Sequence, residues 1–191
     1  MSRSLSERAE PAVHQLTKAL GLPELSCGRH ALRDHRGWLD DKIDVDYCWH
    51  ALVMPSFHPW AAVGLMQTAE SEFRGRKHPA TIRAAAVIFG NEQGHVGPCA
   101  SAELQSDPLA RVIDSVQLLP RRESISLDGI AYRLCTSGYE IDTTVQIRNP
   151  QVASLRAIEE ALFQVAQNVE EQTRNTELAA WLVVWRQYLK R

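Results

Sequence analysis

A chain of 191 residues, 45% hydrophobic and 23% charged with a formal net charge of −2, has the apolar content of one globular domain, expected to span residues 1–191. The near-neutral charge excludes a global basic field for collecting nucleic acid or anionic lipid, and no stretch approaches the roughly 18 apolar residues of a membrane span. The opening run MSRSLSERAEPAVHQ sets Arg3, Glu7, Arg8 and Glu10 where an export signal would need an apolar stretch behind a basic head.

Residues 6 to 20 predict a first helix with Val13, Leu16, Thr17 and Leu20 on one face and GLP stopping it. Residues 26 to 42 read as irregular or weakly helical. Then the period becomes two: Ile43, Val45, Tyr47, Trp49 and Ala51 alternate with Asp44, Asp46, Cys48, His50 and Leu52, predicting a strand with one apolar face. Pro59 suits the first position of a short helix carrying Trp60, Val63, Met66 and Phe73. TIRAAAVIF, residues 81 to 89, reads as a strand buried on both faces, followed by the glycine-bearing loop GNEQGHVGP. Asp107 and Pro108 form an N-cap and first-turn pair for a helix with Leu109, Val112, Ile113 and Val116.

Beyond Arg121 and Arg122, Ile125 and Leu127 precede an Asp-Gly turn. Ile130, Tyr132 and Leu134 follow, then Ser-Gly, then Tyr139, Ile141, Thr143, Val145 and Ile147. Alternating runs around tight turns predict a three-stranded antiparallel meander. Asn149 and Pro150 suit the start of a helix bearing Leu155, Ile158, Leu162, Val165 and Val169. Asn175 suits the cap of a last helix with Leu178, Trp181, Leu182, Trp185 and Leu189. The expected fold class is α+β: an antiparallel sheet with a C-terminal meander, packed against flanking helices including two at the C-terminus.

Chemistry concentrates in GWLDDKIDVDYCWH, residues 37 to 50. Asp46, Cys48 and His50 share one strand face at i+2 spacing, which suits a zinc ion, although no tight knuckle accompanies them. His95, with Glu92 and Cys99, could form a Cys–His–Glu site if Cys99 opens a helix whose N-terminus activates the thiol. The loop GNEQGHVGP matches neither phosphate-binding glycine pattern, and the basic clusters FRGRKHP and PRRES lie on no groove-entering element, so nucleic acid is not an expected partner. The four cysteines, Cys27, Cys48, Cys99 and Cys135, form no CxxC pair and read as reduced thiols, pointing to the cytoplasm. Trp38 with Asp40, Asp41, Asp44 and Asp46 is best explained as a partner-binding surface, an aromatic anchor beside a patch of one sign. The other explanation for these aspartates is a solvated strand face.

The layout ISLDGIAYRL, YEIDTTVQIRNP, SLRAIEEALFQVAQNV, roughly residues 123 to 169, resembles that of bacterial immunity proteins: paired strands with a D-G turn run into an N-P helix start and a leucine-rich helix. The resemblance implies a cytoplasmic protein with no catalytic site or cofactor, which neutralises a cognate secreted toxin by binding it and occluding a basic active-site cleft. The aspartate cluster suits such a partner. The alternative is a small hydrolase or transferase using the Cys/His residues above or a zinc ion.

Overall fold

The computed structural model describes residues 5–33, 35–90, 96–113 and 129–189, and their architecture is α+β: an antiparallel sheet with helices on its faces. The first helix, α1 (Leu5–Leu20), turns Leu16 and Leu20 inward, as their i, i+4 spacing requires. A Schellman turn closes it. The Leu22 N–H donates to the Thr17 carbonyl and the Gly21 N–H to that of Lys18, with Gly21 at φ 78°. Arg83, far along the chain, donates to the carbonyls of Ala19 and Leu20, so a cation sits at the negative end of this helix.

Strands β1 (Gly28–Arg33), β2 (Leu39–Pro55), β3 (Trp60–Thr68), β4 (Ser71–Phe73), β5 (Arg76–His78), β6 (Ile82–Phe89) and β7 (Ala100–Leu104) come next. Helix α2 (Ala110–Ile113), strands β8 (Ile130–Gly138) and β9 (Asp142–Arg148), and helices α3 (Ala153–Thr173) and α4 (Thr176–Leu189) complete the described chain. The main sheet runs β7-β6-β3-β2-β8-β9, with β1 also on β2, while β4 and β5 pair with each other. On one face α1 buries Leu16 and Leu20 against Cys48, Leu52, Met66 and Phe89. On the other, α3 and α4 bury Leu162, Val165 and Trp185 against Trp49, Val63, Tyr132 and Leu134. Each such side chain withdrawn from water is worth about 2 kcal/mol, and the two layers are why the middle strands are apolar on both faces.

That second layer overturns several sequence expectations. The stretch expected as a helix opened by Pro59 is β3. Trp60, Val63 and Met66 do recur at i+3, but every residue from 61 to 66 is buried, so a helix and a two-faced strand fit the pattern equally. Pairing decides it, because β3 bonds to β2 on one edge and β6 on the other. In β2 a register shift between Val45 and Tyr47 breaks the single apolar face: Val45 packs with Cys48 and Leu52 beneath α1, whereas Tyr47 and Trp49 face α3 and α4. Residues 28–33, expected irregular, form β1, in which His30 alone is buried, too faint an alternation to read.

The β8–β9 hairpin carries the expected alternation, Thr143, Val145 and Ile147 being the less exposed residues of β9. The strand expected at Ile125 and Leu127 lies outside the described residues, and the remaining edge of β8 is taken by β2, Ile130 facing Pro55 and Gly138 facing Tyr47. Asn175 caps α4 as expected, its Oδ1 accepting from the Leu178 N–H at 2.9 Å. Asn149 does not cap α3, which begins four residues later at Ala153. Asn149 sits at φ 45°, and its Oδ1 accepts from the Ile130 N–H at 2.9 Å, clamping the start of β8. A Cβ on Gly129 would collide with that oxygen. Gly129→Ala must therefore drive the clamp open, and urea unfolding should show a loss on the order of 2 kcal/mol. Unchanged stability would mean that the clamp carries no weight.

Candidate functional site

Only the C-terminal part of β2 pairs with β3 and β8; residues 39–44 pair with β1. The β1–β2 ribbon therefore extends past the main sheet by roughly 20 Å, at about 3.3 Å per residue. Trp38 precedes β2 at the ribbon's far end and is 74% exposed. The β4–β5 hairpin, which carries the basic cluster FRGRKHP, braces this arm. Arg74 donates to the Leu39 carbonyl, and Lys42 and Arg74 both stack on Phe73.

The aspartates do not make a patch of one sign. Asp41 receives the His78 ring nitrogen at 3.1 Å and Arg76 at 3.9 Å, and its side chain is only 13% exposed. Asp44 pairs with Arg29 at 3.3 Å and accepts the Tyr139 hydroxyl at 2.9 Å. That hydrogen bond is the main reason the Tyr139 phenol is raised above its ordinary range. Asp46 is half-buried next to the register shift. Asp40 points outward, 58% exposed and 3.9 Å from Arg76, an exposed pair of little energetic weight. The cations come from β1 and β5, brought alongside by pairing across many residues, so the arm is a mixed-charge surface with Trp38 and Asp40 facing out.

The zinc expectation fails on geometry. Cys48 and His50 do lie together on the α1 face, but the register shift interrupts the alternation that would bring Asp46 beside them. Burial, then the nearby Cys27 and Asp142, push the Cys48 thiol up to about 12, so it is protonated at neutral pH. Burial, then the Arg133 charge, pull His50 down to about 4. Among the described residues no three histidine, cysteine or carboxylate side chains converge as a metal set.

The nucleophile expectation fails at Cys99. It precedes a strand, β7, and opens no helix, so no helix N-terminus stabilises its thiolate. Burial pushes its thiol up to about 11. Glu92 and His95 lie outside the described residues.

Two polar centres were not expected in full. Asp107, expected as an N-cap, stands two residues ahead of that position, because α2 begins at Ala110 and its first backbone bonds go to the Leu109 carbonyl. Its Oδ1 accepts from the Leu109 N–H at 2.8 Å in the turn before the helix, and its Oδ2 accepts from Trp49 Nε1 at 2.9 Å and the Tyr47 hydroxyl at 3.2 Å. Between sheet and helices, the Tyr132 hydroxyl donates to Glu159 and accepts from Trp185 Nε1 at 2.9 Å. Burial raises Glu159 to about 7 although the Tyr132 hydrogen bond opposes the shift. Nothing in the amphipathic run SLRAIEEALF marks Glu159 as the inward carboxylate except its place four residues after Leu155.

No family model, curated protein or solved structure matches this chain. Among the described residues no helix is long and apolar enough to cross a membrane.

Proposed function

We propose that this chain is a non-enzymatic protein-binding module of the bacterial immunity type, which neutralises a cognate toxin by seating the tip of its arm in the toxin's active-site cleft. The observation that carries this reading is Trp38, 74% exposed at the end of a two-stranded arm braced by ion pairs. Trp38 stands one residue before the regular backbone of β2, whose start anchors it, so less conformational entropy opposes its burial in a partner. Asp40 stands beside it and exchanges its weak, exposed Arg76 contact for a basic group of the partner at small cost. Asp41 and Asp44 contribute by bracing the arm, not by touching the partner. The raised thiols of Cys48 and Cys99 favour binding over cysteine chemistry at neutral pH.

The test is survival of host cells producing the toxic domain encoded beside this protein. Wild type should rescue growth and bind that domain in a one-to-one complex. Trp38→Ala, which touches no core, should bind about tenfold or more weakly with an unchanged melting temperature. No rescue by wild type, or equal rescue by Trp38→Ala, removes this reading.

A further inference from the structure

The main sheet ends on β7 at one side and on β9 at the other. An outer strand presents a row of backbone N–H and C=O groups, which natural chains cover, bend away or shield with proline, lysine or a bulge. β7 is five residues long, and Gln172 Nε2 from α3 donates to its Glu103 carbonyl at 2.7 Å. β1, paired to β2, carries arginines at 29 and 33 and a register shift between Leu32 and Arg33. β9, DTTVQIR, has no proline, lysine or register shift, and among the described residues its backbone pairs with β8 alone. Val145 and Ile147 turn toward the α3 and α4 layer, whereas Asp142, Thr144, Gln146 and Arg148 are exposed. The charges of β9 stand only at its two ends, Asp142 first and Arg148 last. Among the described residues neither forms an ion pair within the chain.

We propose that β9 pairs antiparallel with β9 of a second copy of this chain, joining two sheets into one about a twofold axis at Val145. The strand is self-complementary in that register. With Val145 facing Val145 of the second copy, Thr144 faces Gln146, Thr143 faces Ile147, and Asp142 faces Arg148. All seven residues are then paired, and each end charge meets its opposite twice per dimer. Both copies use the same strand, so the contact is isologous and closes at two chains instead of growing into a filament. The backbone groups supply affinity, and the end charges fix register and direction. One strand pair buries less than the roughly 1,600 Å² of a standard interface, which places the association in the micromolar range. The pairing is independent of Trp38 and of the immunity reading.

The test is sedimentation of the full-length protein over a concentration series reaching millimolar. Wild type should pass from monomer to dimer. Where the dimer forms, alternate amide hydrogens of β9 should exchange about tenfold more slowly, and those of β7 should not change. Asp142→Arg and Arg148→Asp each set like charges opposite one another, so each should self-associate about tenfold more weakly, with an unchanged melting temperature in the monomer. Mixed in equal amounts, the two variants regain both opposite-charge pairs, and a heterodimer about as tight as the wild-type dimer should form. Wild type that stays monomeric at millimolar concentration overturns the proposal, the edge then serving a strand of another protein or none. A wild-type dimer whose β9 amides exchange as in the monomer overturns it without any variant. So does a dimer indifferent to both substitutions, or a mixture that associates no better than its components.

Discussion

Replacing Asp107 with alanine will lower the unfolding free energy by on the order of 3 kcal/mol. The carboxylate is 5% exposed and accepts from three donors: the Leu109 N–H, Trp49 Nε1 and the Tyr47 hydroxyl. Each bond to a charged acceptor is worth about 1.5–3 kcal/mol, and the donors left behind keep their desolvation penalty. The loss falls short of the sum because the variant no longer buries a charge. Burial and the Asp107 charge also hold the Tyr47 phenol well above its ordinary range. The variant should therefore lower the Tyr47 pKa and shift the Trp49 indole N–H resonance, readings a generic surface substitution would not move. Asp107→Asn should lie between wild type and alanine. One amide oxygen can still cap Leu109, but the amide NH₂ then meets the donors of Trp49 and Tyr47. An alanine variant as stable as wild type would mean that these bonds contribute nothing beyond what water offers.

Asp107 also illustrates how much of this molecule was legible in its sequence. Its place in the turn that leads into a helix was, because aspartate followed by proline is a local pattern spanning two residues, although the helix starts only at Ala110. Its bonds to Trp49 and Tyr47 were not, being made 58 and 60 residues away. The same division runs through the fold. Leu16 and Leu20 on α1, the Asn175 cap and the stripe on α4 depend on near neighbours and came through. So did β6, whose run is apolar but for Arg83 and has no good helical alternative between Pro79 and Gly90. β3 was lost because a segment buried on both sides has no periodicity left to read. Val45 moved to the other face because one extra residue in the pairing reverses every assignment before it. The site followed suit. Trp38 could be named as an anchor from its neighbours, but the pairing of Asp41 with His78 and of Asp44 with Arg29 depends on which strands meet. An aspartate-rich stretch therefore looked acidic in isolation and is mixed-charge in the folded chain.

Glu159→Gln should gain on wild type by on the order of 3 kcal/mol as pH rises from about 4.5 to about 8, a difference set by the folded and unfolded pKa values of one group. Glu159 titrates at about 7 in the fold against 4.5 for the free side chain, chiefly through burial, with Glu160 adding to the shift and Arg156 and Tyr132 opposing it. The folded state thus binds the proton more tightly than the unfolded chain. Its stabilising contribution is full below pH 4.5, declines as pH rises and is gone above about 7. His50 acts in the opposite sense. Its pKa falls from 6.5 to about 4, so its contribution is full above pH 6.5 and is lost as pH falls through 4. Between pH 4.5 and 6.5 the two slopes cancel, and wild type should be nearly flat there. Each single variant should expose the other group. Glu159→Gln keeps an oxygen to accept the Tyr132 hydroxyl and carries no charge, so its stability should climb from pH 4 to 6.5 and then hold. His50→Asn should instead decline from pH 4.5 to 7. Urea unfolding across this range reads both curves, and the double variant should again be flat. If the difference between wild type and Glu159→Gln does not change with pH, Glu159 titrates alike folded and unfolded, and its burial between sheet and helices has no effect on its proton.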